Sequence, residues 1–363
     1  MKKLDWYIIK KFLTTFFFSI FLFAVISVVV DVGEKTDDFV KSGWSFGRIV
    51  MDYYIAFIPH IIALLFPLFV FIAVIFFTSK MAGKSEIVAI LAAGVSFRRV
   101  LRPYFVAGTM LAALLWYANR LVIPRAEVKR TYFEDVYVNG NSSYNPLTDK
   151  KKVLYFRIDS FTYAGVHTYD TVRKSGGPFF MHRLKGNQVV YNLRAETIRW
   201  DTAVRKWTLD NAVERELNGL KEKVWISGVK VMNFNFKPAD LRSDDFAKDK
   251  MTTPELNHQI QLDKLRGTEG LNSLIIESYR RDATPVSVII LTLIGAIVAT
   301  RKVRGGSGMH LALGFILAAV FILMDRFSTI FSTKGNFPPL IAAWLPNVVF
   351  SCVAYYLFKK AQK

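Results

Sequence analysis

Long apolar runs separated by short polar connections dominate both ends of the chain. A helix rises about 1.5 Å per residue, so roughly 20 apolar residues cross a hydrocarbon core. Phe12–Val30 carries no charge, and Ile58–Thr78 reads PHIIALLFPLFVFIAVIFF in its core. Pro103–Val122 stays apolar until Asn119 and Arg120. Pro285–Thr300, Leu311–Met324 (running on to Phe331) and Leu340–Phe358 follow towards the C-terminus. The pattern predicts six transmembrane helices. Lys2, Lys3, Lys10 and Lys11 precede the first run as they would in a signal peptide. The run is long, however, and DVGEKTDD follows it without a small-x-small cleavage site, so it predicts a retained anchor.

Between the third and fourth runs the period changes. About 160 residues, the size of one domain, hold short segments rich in Val, Tyr, Phe and Trp and broken by Gly, Asn, Asp and Pro. These are KKVLYFRID, GVHTYDTVR, GPFFMHRL, QVVYNLRAETIRWD, RKWTLDNAVERELN and EKVWISGVKVMNFNF. Short strands at such spacing predict a β-sandwich or jellyroll rather than βαβ units. In the last segment Val229, Val231, Asn233 and Asn235 alternate with Lys230, Met232, Phe234 and Phe236, which predicts that Phe234 and Phe236 point inward. From Thr253, followed by Pro254 and Glu255, a helix is predicted to lead back to the membrane at Pro285. The fold class is therefore an α-helical polytopic membrane protein with six transmembrane helices and an inserted extracytoplasmic β-jellyroll-like domain. The boundaries read as 1–122 for the first three spans, 123–252 for the β domain, 253–284 for a helical return linker and 285–363 for the last three spans.

Charge orients this arrangement. Lysines and arginines gather before the first span, at Lys80, Lys84, Arg98, Arg99 and Arg102, in RKVRGG (Arg301, Lys302, Arg304) and in the terminal KKAQK. On the alternate side Lys35, Lys41 and Arg48 are offset by Asp31, Glu34, Asp37 and Asp38. Positive-inside bias puts both termini in the cytoplasm and the β domain outside it. The net charge of +19 is partly this bias, and no nucleic-acid partner is expected.

KSEIVAILAAGVSFRRV, between the second and third spans, is too polar to cross. Ile87, Ile90, Leu91 and Val95 share one helical face. Ser85 is placed to cap a helix over 84–95, Glu86 falls in its first turn and Gly94 ends it. Ala89, Ala92, Ala93 and Gly94 allow close backbone approach. Such a helix either lies on lipid or seats in the groove of a cytoplasmic partner.

Catalytic signatures are thin. AGKS at 82–85 lacks the first glycine of a phosphate-binding loop, where Thr78 stands, and the strand that should precede it. The five histidines share no ligand spacing, and the single Cys352 allows neither an intrachain disulfide nor a cysteine zinc cluster. No catalytic residue, cofactor or metal is expected. Charges at the membrane say more, since a charge in lipid usually faces a cavity or a partner. Asp325 and Arg326 interrupt the fifth span and either pair with each other or line a polar cavity. Lys35 and Lys41 form either a solvated interfacial cluster or a cationic rim for an anionic headgroup.

At these motifs the chain resembles the lipopolysaccharide export permeases of the LptF/LptG (YjgP/YjgQ) family. SEIVAILAAGVSFRRVL is similar to the family's coupling segment, and YRRDATPVSVIILTLIGAIVATR to its R-x-x-x-P fourth span. AAWLPNVVF (Ala342–Phe350) resembles its last-span signature, and Tyr7–Leu13 its N-terminal Y-I-x-K-x-F-L. The resemblance covers essentially the whole chain and implies a permease subunit of an ABC transporter in the Gram-negative inner membrane. It implies a cytoplasmic ATPase dimer as partner, coupled through Glu86, Ala89, Ala93 and Gly94. A second permease copy or paralogue and periplasmic lipopolysaccharide-bridge proteins would complete the path. Lipopolysaccharide is the implied substrate, entering between the first and fifth spans, with Lys35 and Lys41 nearest to the family's basic residues at the outer end of the first span; Asp325 and Arg326, from their charge in the membrane, and Phe234 and Phe236, from the strand alternation, are the further candidate contacts. A stand-alone transporter of a smaller solute and a membrane-anchored scaffold or binding protein remain as rivals. The first would show paired broken helices; the second would have no use for Glu86.

Overall fold

The computed structural model describes residues 3–134, 154–170, 173–186, 188–219, 221–241, 247–266, 270–300 and 307–361. Arg301, Lys302 and Arg304 lie outside them. Two compact units emerge: Met1–Val138, Lys248–Leu256 and Asn272–Lys363 form one, Asn139–Ala247 and Asn257–Leu271 the other.

In the first unit six helices among the described residues are long and apolar enough to cross a membrane. Helix α1 is Lys3–Ser42. A continuous rod over Phe46–Gly83 comprises α2 (Phe46–Arg48), a π-helical segment Ile49–Tyr54, and α3 (Ile55–Gly83). The short α4 is Glu86–Ala92. A second rod joins α5 (Phe97–Tyr117), a π segment Ala118–Val122 and α6 (Ile123–Phe133). After the β insert come α7 (Ala247–Lys250), α8 (Thr253–Arg266), α9 (Leu271–Ala299), α10 (Ser307–Lys334) and α11 (Pro339–Ala361).

The third span thus runs eleven residues beyond Val122, to Phe133. Asn119 and Arg120 do not break it; they sit in the π segment, and Arg120 turns outward to Asp282 at 2.8 Å. The fourth span begins not at Pro285 but at Leu271, with Pro285 inside the helix. The predicted start at Thr253 holds. Glu255 accepts from the Thr252 backbone N–H at 2.8 Å and from its hydroxyl at 2.7 Å, the reach-back half of a capping box.

Helix α3 is the hub. Phe12 and Phe16 of α1, Phe66, Val70 and Val74 of α3, and Tyr104 and Leu111 of α5 make one buried cluster. Phe71, Ile294, Phe321 and Phe350 join α3, α9, α10 and α11 in another. Small residues bring backbones together where lipid supplies no hydrophobic drive. A Cβ on Gly295 would lie 3.0 Å from the Phe71 ring, and one on Gly108 3.1 Å from Thr292.

The second unit is a seven-stranded antiparallel sheet, as the strand-like runs predict: β1 Leu154–Asp159, β2 Thr162–Asp170, β3 Ser175–Lys185, β4 Gln188–Ala195, β5 Thr197–Asp201, β6 Lys206–Asn218 and β7 Lys221–Met232. The run QVVYNLRAETIRWD divides at Glu196 into β4 and β5, both of which pair with β6. β7 pairs with β6. Ala164, Val166, Phe179, Met181, Leu193, Ile198, Trp207 and Leu209 line the enclosed face.

Candidate functional site

The coupling-segment expectation falls on α4. α3 ends at Gly83, and Ser85 turns the chain with φ +60. Side-chain capping from an N-cap needs an extended backbone, so Ser85 makes no side-chain cap bond here, a correction to its expected role. The helix occupies Glu86–Ala92. Ile87 is buried, and Ile90 and Val95 pack partly against the bundle. Gly94, with φ +82, ends it by donating to the Leu91 carbonyl at 3.0 Å. Leu91 differs from the other residues of the shared face: with Val88, Ala89, Ala92, Ala93 and Gly94 it is exposed. The result is a helix seated on the bundle through Ile87 that presents a small-residue apolar surface. Beside it the α1 and α5 starts are tied by a bidentate pair, Arg99 to Asp5 at 2.7 Å for both bonds.

At the opposite end of the bundle Lys35 does not reach out as a free cation. Its ammonium pairs with Asp31 at 3.0 Å and Glu134 at 3.0 Å, contacts the Tyr53 hydroxyl, and is only 15% exposed. Tyr53 in turn donates to Asp31 at 3.1 Å. Glu134 accepts from Arg130 at 2.6 Å, and Arg130 bonds Glu127 at 2.9 Å and 3.1 Å. Glu127 also contacts His60. This chain of buried charges ties α1, the π segment, α3 and α6. Lys41, by contrast, is 72% exposed, with a 3.8 Å contact to Asp38. The two lysines expected to act together are therefore in different environments. Glu127, Arg130, Glu134, Tyr53 and His60 were not singled out from the sequence. The signal was the 127/130/134 spacing, three charges on one helical face, hidden by ending the third span at Val122.

Asp325 and Arg326 of α10 also separate. Asp325 pairs across the bundle with Arg280 of α9 at 3.2 Å, while Arg326 is exposed. Both line a cavity between α3, α9, α10 and α11.

In the sheet unit Phe236 is buried and Phe234 packs partly against the same core. They stack at 5.0 Å with 10° between planes. The strand ends at Met232, so the alternation continues inward without ladder pairing.

The return to the bundle is stapled by Arg281 of α9, which is buried. It donates to the Lys248 carbonyl at 2.9 Å and to Thr253 Oγ1 at 3.3 Å, and pairs with Glu277 at 3.3 Å. Asp249, on the segment so held, has its carboxyl pushed up to about 6, by burial first and then by Glu277 and Glu127, against Lys248 and His60. An unfolded aspartate titrates near 3.9, so the folded state binds this proton more tightly. The contribution is fully present below that value, is lost as pH rises through about 6, and is flat above. Asp249→Asn is therefore expected to match the wild type in melting temperature at low pH and to exceed it above the transition. Parallel melting curves across the range would remove this assignment.

Two comparisons with known proteins give matches over nearly the whole chain. A family model described as "Lipopolysaccharide export system permease LptF/LptG" matches residues 6–360. The lipopolysaccharide export system permease protein LptG of Escherichia coli strain K12 is 20% identical over 366 residues, covering 98% of each chain. The protein of the same name from E. coli O6:H1 gives the same figures.

Proposed function

Because the chain belongs to the lipopolysaccharide export system permease LptF/LptG family, we propose that it is the membrane subunit of an ATP-driven machine. In this reading it draws lipopolysaccharide from the inner membrane of a Gram-negative cell and passes it to a periplasmic bridge. ATP is hydrolysed by a separate cytoplasmic ATPase dimer, and the chain itself does no covalent chemistry. The observation that carries the reading is α4: its inner side is anchored by Ile87, while Ala89, Ala92, Ala93 and Gly94 lie open. A lever must be stiff towards the bundle and accessible towards its driver. Glu86, in the first turn, is the group we assign to the ATPase contact. Positive-inside bias supports an orientation with α4 and both termini in the cytoplasm and the sheet in the periplasm.

The helix packing favours a pair of permeases. α1 packs chiefly on α3 and α5, and α10 chiefly on α3 and α11, so α3 stands between the first and fifth spans of one chain. A gate between a first and a fifth span is then built from α1 of one permease and α10 of the other. The exposed apolar side chains Phe18, Phe21 and Val29 on α1 and Leu323, Phe327 and Phe331 on α10 suit such walls. Of the four charged residues expected at the membrane, Lys41 and Arg326 are open to lipid phosphates. Lys35 and Asp325, already paired, shape the gate helices instead. Phe234 and Phe236 supply an apolar floor for acyl chains inside the sheet. At its edge β7 exposes Val224, Ile226, Val229 and Val231, a strand that a bridge protein can extend by β-addition.

The test is purification of the full chain from its own cells in mild detergent, with the co-purifying subunit identified by mass spectrometry and ATP turnover measured. Wild-type chain is expected to retain an ATPase. Glu86→Ala and Ala93→Trp are expected to lower retention about tenfold, the equivalent of one charged contact, with helical content unchanged. Retention at full strength in both variants removes α4 as the docking site. Hydrolysis of ATP by the isolated chain overturns the whole reading.

A further inference from the structure

Helix α5 is sharply two-sided. Leu101, Tyr104, Leu111 and Leu115 are buried against the bundle, whereas Arg98, Arg102, Phe105, Val106 and Met110 are exposed. The exposed set recurs at helical spacing and forms one stripe. From Arg98 to Trp116 the helix rises about 27 Å, close to the roughly 30 Å of a hydrocarbon core. Trp116 and Tyr117 are exposed at the far end, as aromatic residues are at a membrane interface. The two arginines therefore sit at headgroup level, at the end of the bundle that carries α4. The apolar part of the stripe runs away from them along the acyl chains.

The arginines at the start of α5 are used differently. Arg99 is committed to Asp5, with both bonds at 2.7 Å. Among the described residues Arg98 and Arg102 pair with no carboxylate and donate no hydrogen bond. The Arg98 guanidinium instead lies 5.7 Å from the centre of the Phe358 ring of α11, and the Phe97 ring is 6.2 Å from that same ring. Stacking of this kind orients a guanidinium and leaves its charge and its N–H donors intact. Arg102 sets a second fork one helical turn along the same face. Two such forks suit the oxygens of a phosphate. A soluble acidic partner answers the charge but has no use for Phe105, Val106 and Met110, whereas an amphiphile meets both. A zwitterionic headgroup carries its own cation beside the phosphate, which the arginines repel. We propose that this face of α5, with Phe358 beside it, binds one anionic phospholipid, its phosphodiester held by Arg98 and Arg102 and its chains lying on Phe105, Val106 and Met110. Only the choice of leaflet, the cytoplasmic one, rests on the orientation proposed above. The lipid braces the base of α4, because Phe97, Phe358 and Ile87 belong to one packed cluster.

Native mass spectrometry of the full-length chain in mild detergent, titrated with phosphatidylglycerol, counts the bound lipid directly. Phosphatidylglycerol is expected to bind about tenfold or more tightly than phosphatidylethanolamine, given what each cation contributes near an anionic headgroup. Arg98→Gln with Arg102→Gln is expected to weaken phosphatidylglycerol about tenfold or more and to leave phosphatidylethanolamine unchanged. Lys10→Gln with Lys11→Gln removes the same charge from exposed positions on α1 and is expected to change the affinity by less than about twofold. If the arginine pair variant does not fold, Arg102→Gln alone, which breaks no hydrogen bond or ion pair among the described residues, is expected to weaken binding about threefold or more. Equal losses in the lysine and arginine variants would mean diffuse attraction to a basic end. Equal binding of phosphatidylethanolamine would mean that the charge is not read, and displacement by inorganic phosphate as effective as by lipid that the chains are not used. Unchanged lipid binding with loss of a co-purifying ATPase in the arginine variant would assign the two side chains to that subunit. Each of these outcomes overturns the proposal. Absence of an ATPase from the wild-type preparation counts against the transport reading and leaves the lipid result standing.

Discussion

Replacing Glu127 with alanine is expected to destabilise the helical unit by roughly 3–5 kcal/mol, the loss typical when one partner of a buried ion pair is removed. Glu127 is 1% exposed and sits between the Arg130 guanidinium and the His60 ring. Arg130 is itself 10% exposed by its side chain. Without Glu127, Arg130 must rely on Glu134 alone, which already serves Lys35 at 3.0 Å. The remaining cation then lies where water cannot replace the lost carboxylate, and the cost is that of a stranded charge rather than of a missing contact. Glu127→Gln keeps the shape and one acceptor and is expected to fall between wild type and alanine. The double change Glu127→Met with Arg130→Met removes both charges and is expected to recover most of the loss, because buried pairs often break even against apolar residues of similar volume. Unfolding in detergent, followed by helical circular dichroism, measures all three. A loss below about 1 kcal/mol for Glu127→Ala, the range of exposed pairs, would mean that the network is hydrated and does not clamp α6 to α3.

That network also marks where sequence reading stopped. Bilayer-length apolar runs place the spans because each helix carries its own signal, and Ile87 with Gly94 similarly betray α4. Partners brought together by folding carry no local signal. Lys35 meets Glu134 across 99 positions, so DVGEKTDD reads as an acidic loop, whereas it is the end of α1 and supplies Asp31 to its own Lys35. Asp325 beside Arg326 suggests a pair, yet neighbours on a helix point apart, and Asp325 turns to Arg280 on α9. In the sheet, Val, Tyr and Trp runs reveal strands, but no Gly or Pro announces the break at Glu196. That break comes from pairing: Glu196 N–H donates to the Asp210 carbonyl at 3.1 Å as the chain leaves β4 for β5.

Trp207→Ala is expected to cost the sheet unit about 3–5 kcal/mol, the usual price of emptying a buried tryptophan site. Trp207 is fully buried on β6. Its ring lies 5.1 Å from Trp200, 5.2 Å from Phe236 and 6.1 Å from Tyr169. Its Nε1 also donates to the Phe236 carbonyl at 2.9 Å. That bond secures the segment after β7, which has left the ladder by Met232 and carries the Phe234–Phe236 stack. Alanine therefore opens a void at the centre of the sheet and releases those two rings together. Trp207→Phe retains most of the packing and loses the N–H. Its expected cost is about 1–3 kcal/mol, that of one unsatisfied buried carbonyl. Amide hydrogen exchange on the full chain separates the effects: alanine is expected to lose protection across β2, β3 and β6, whereas phenylalanine loosens the Phe234–Phe236 segment first. Uniform protection in both variants would show that the sheet closes without this ring, and that Phe234 and Phe236 owe their inward position to something else.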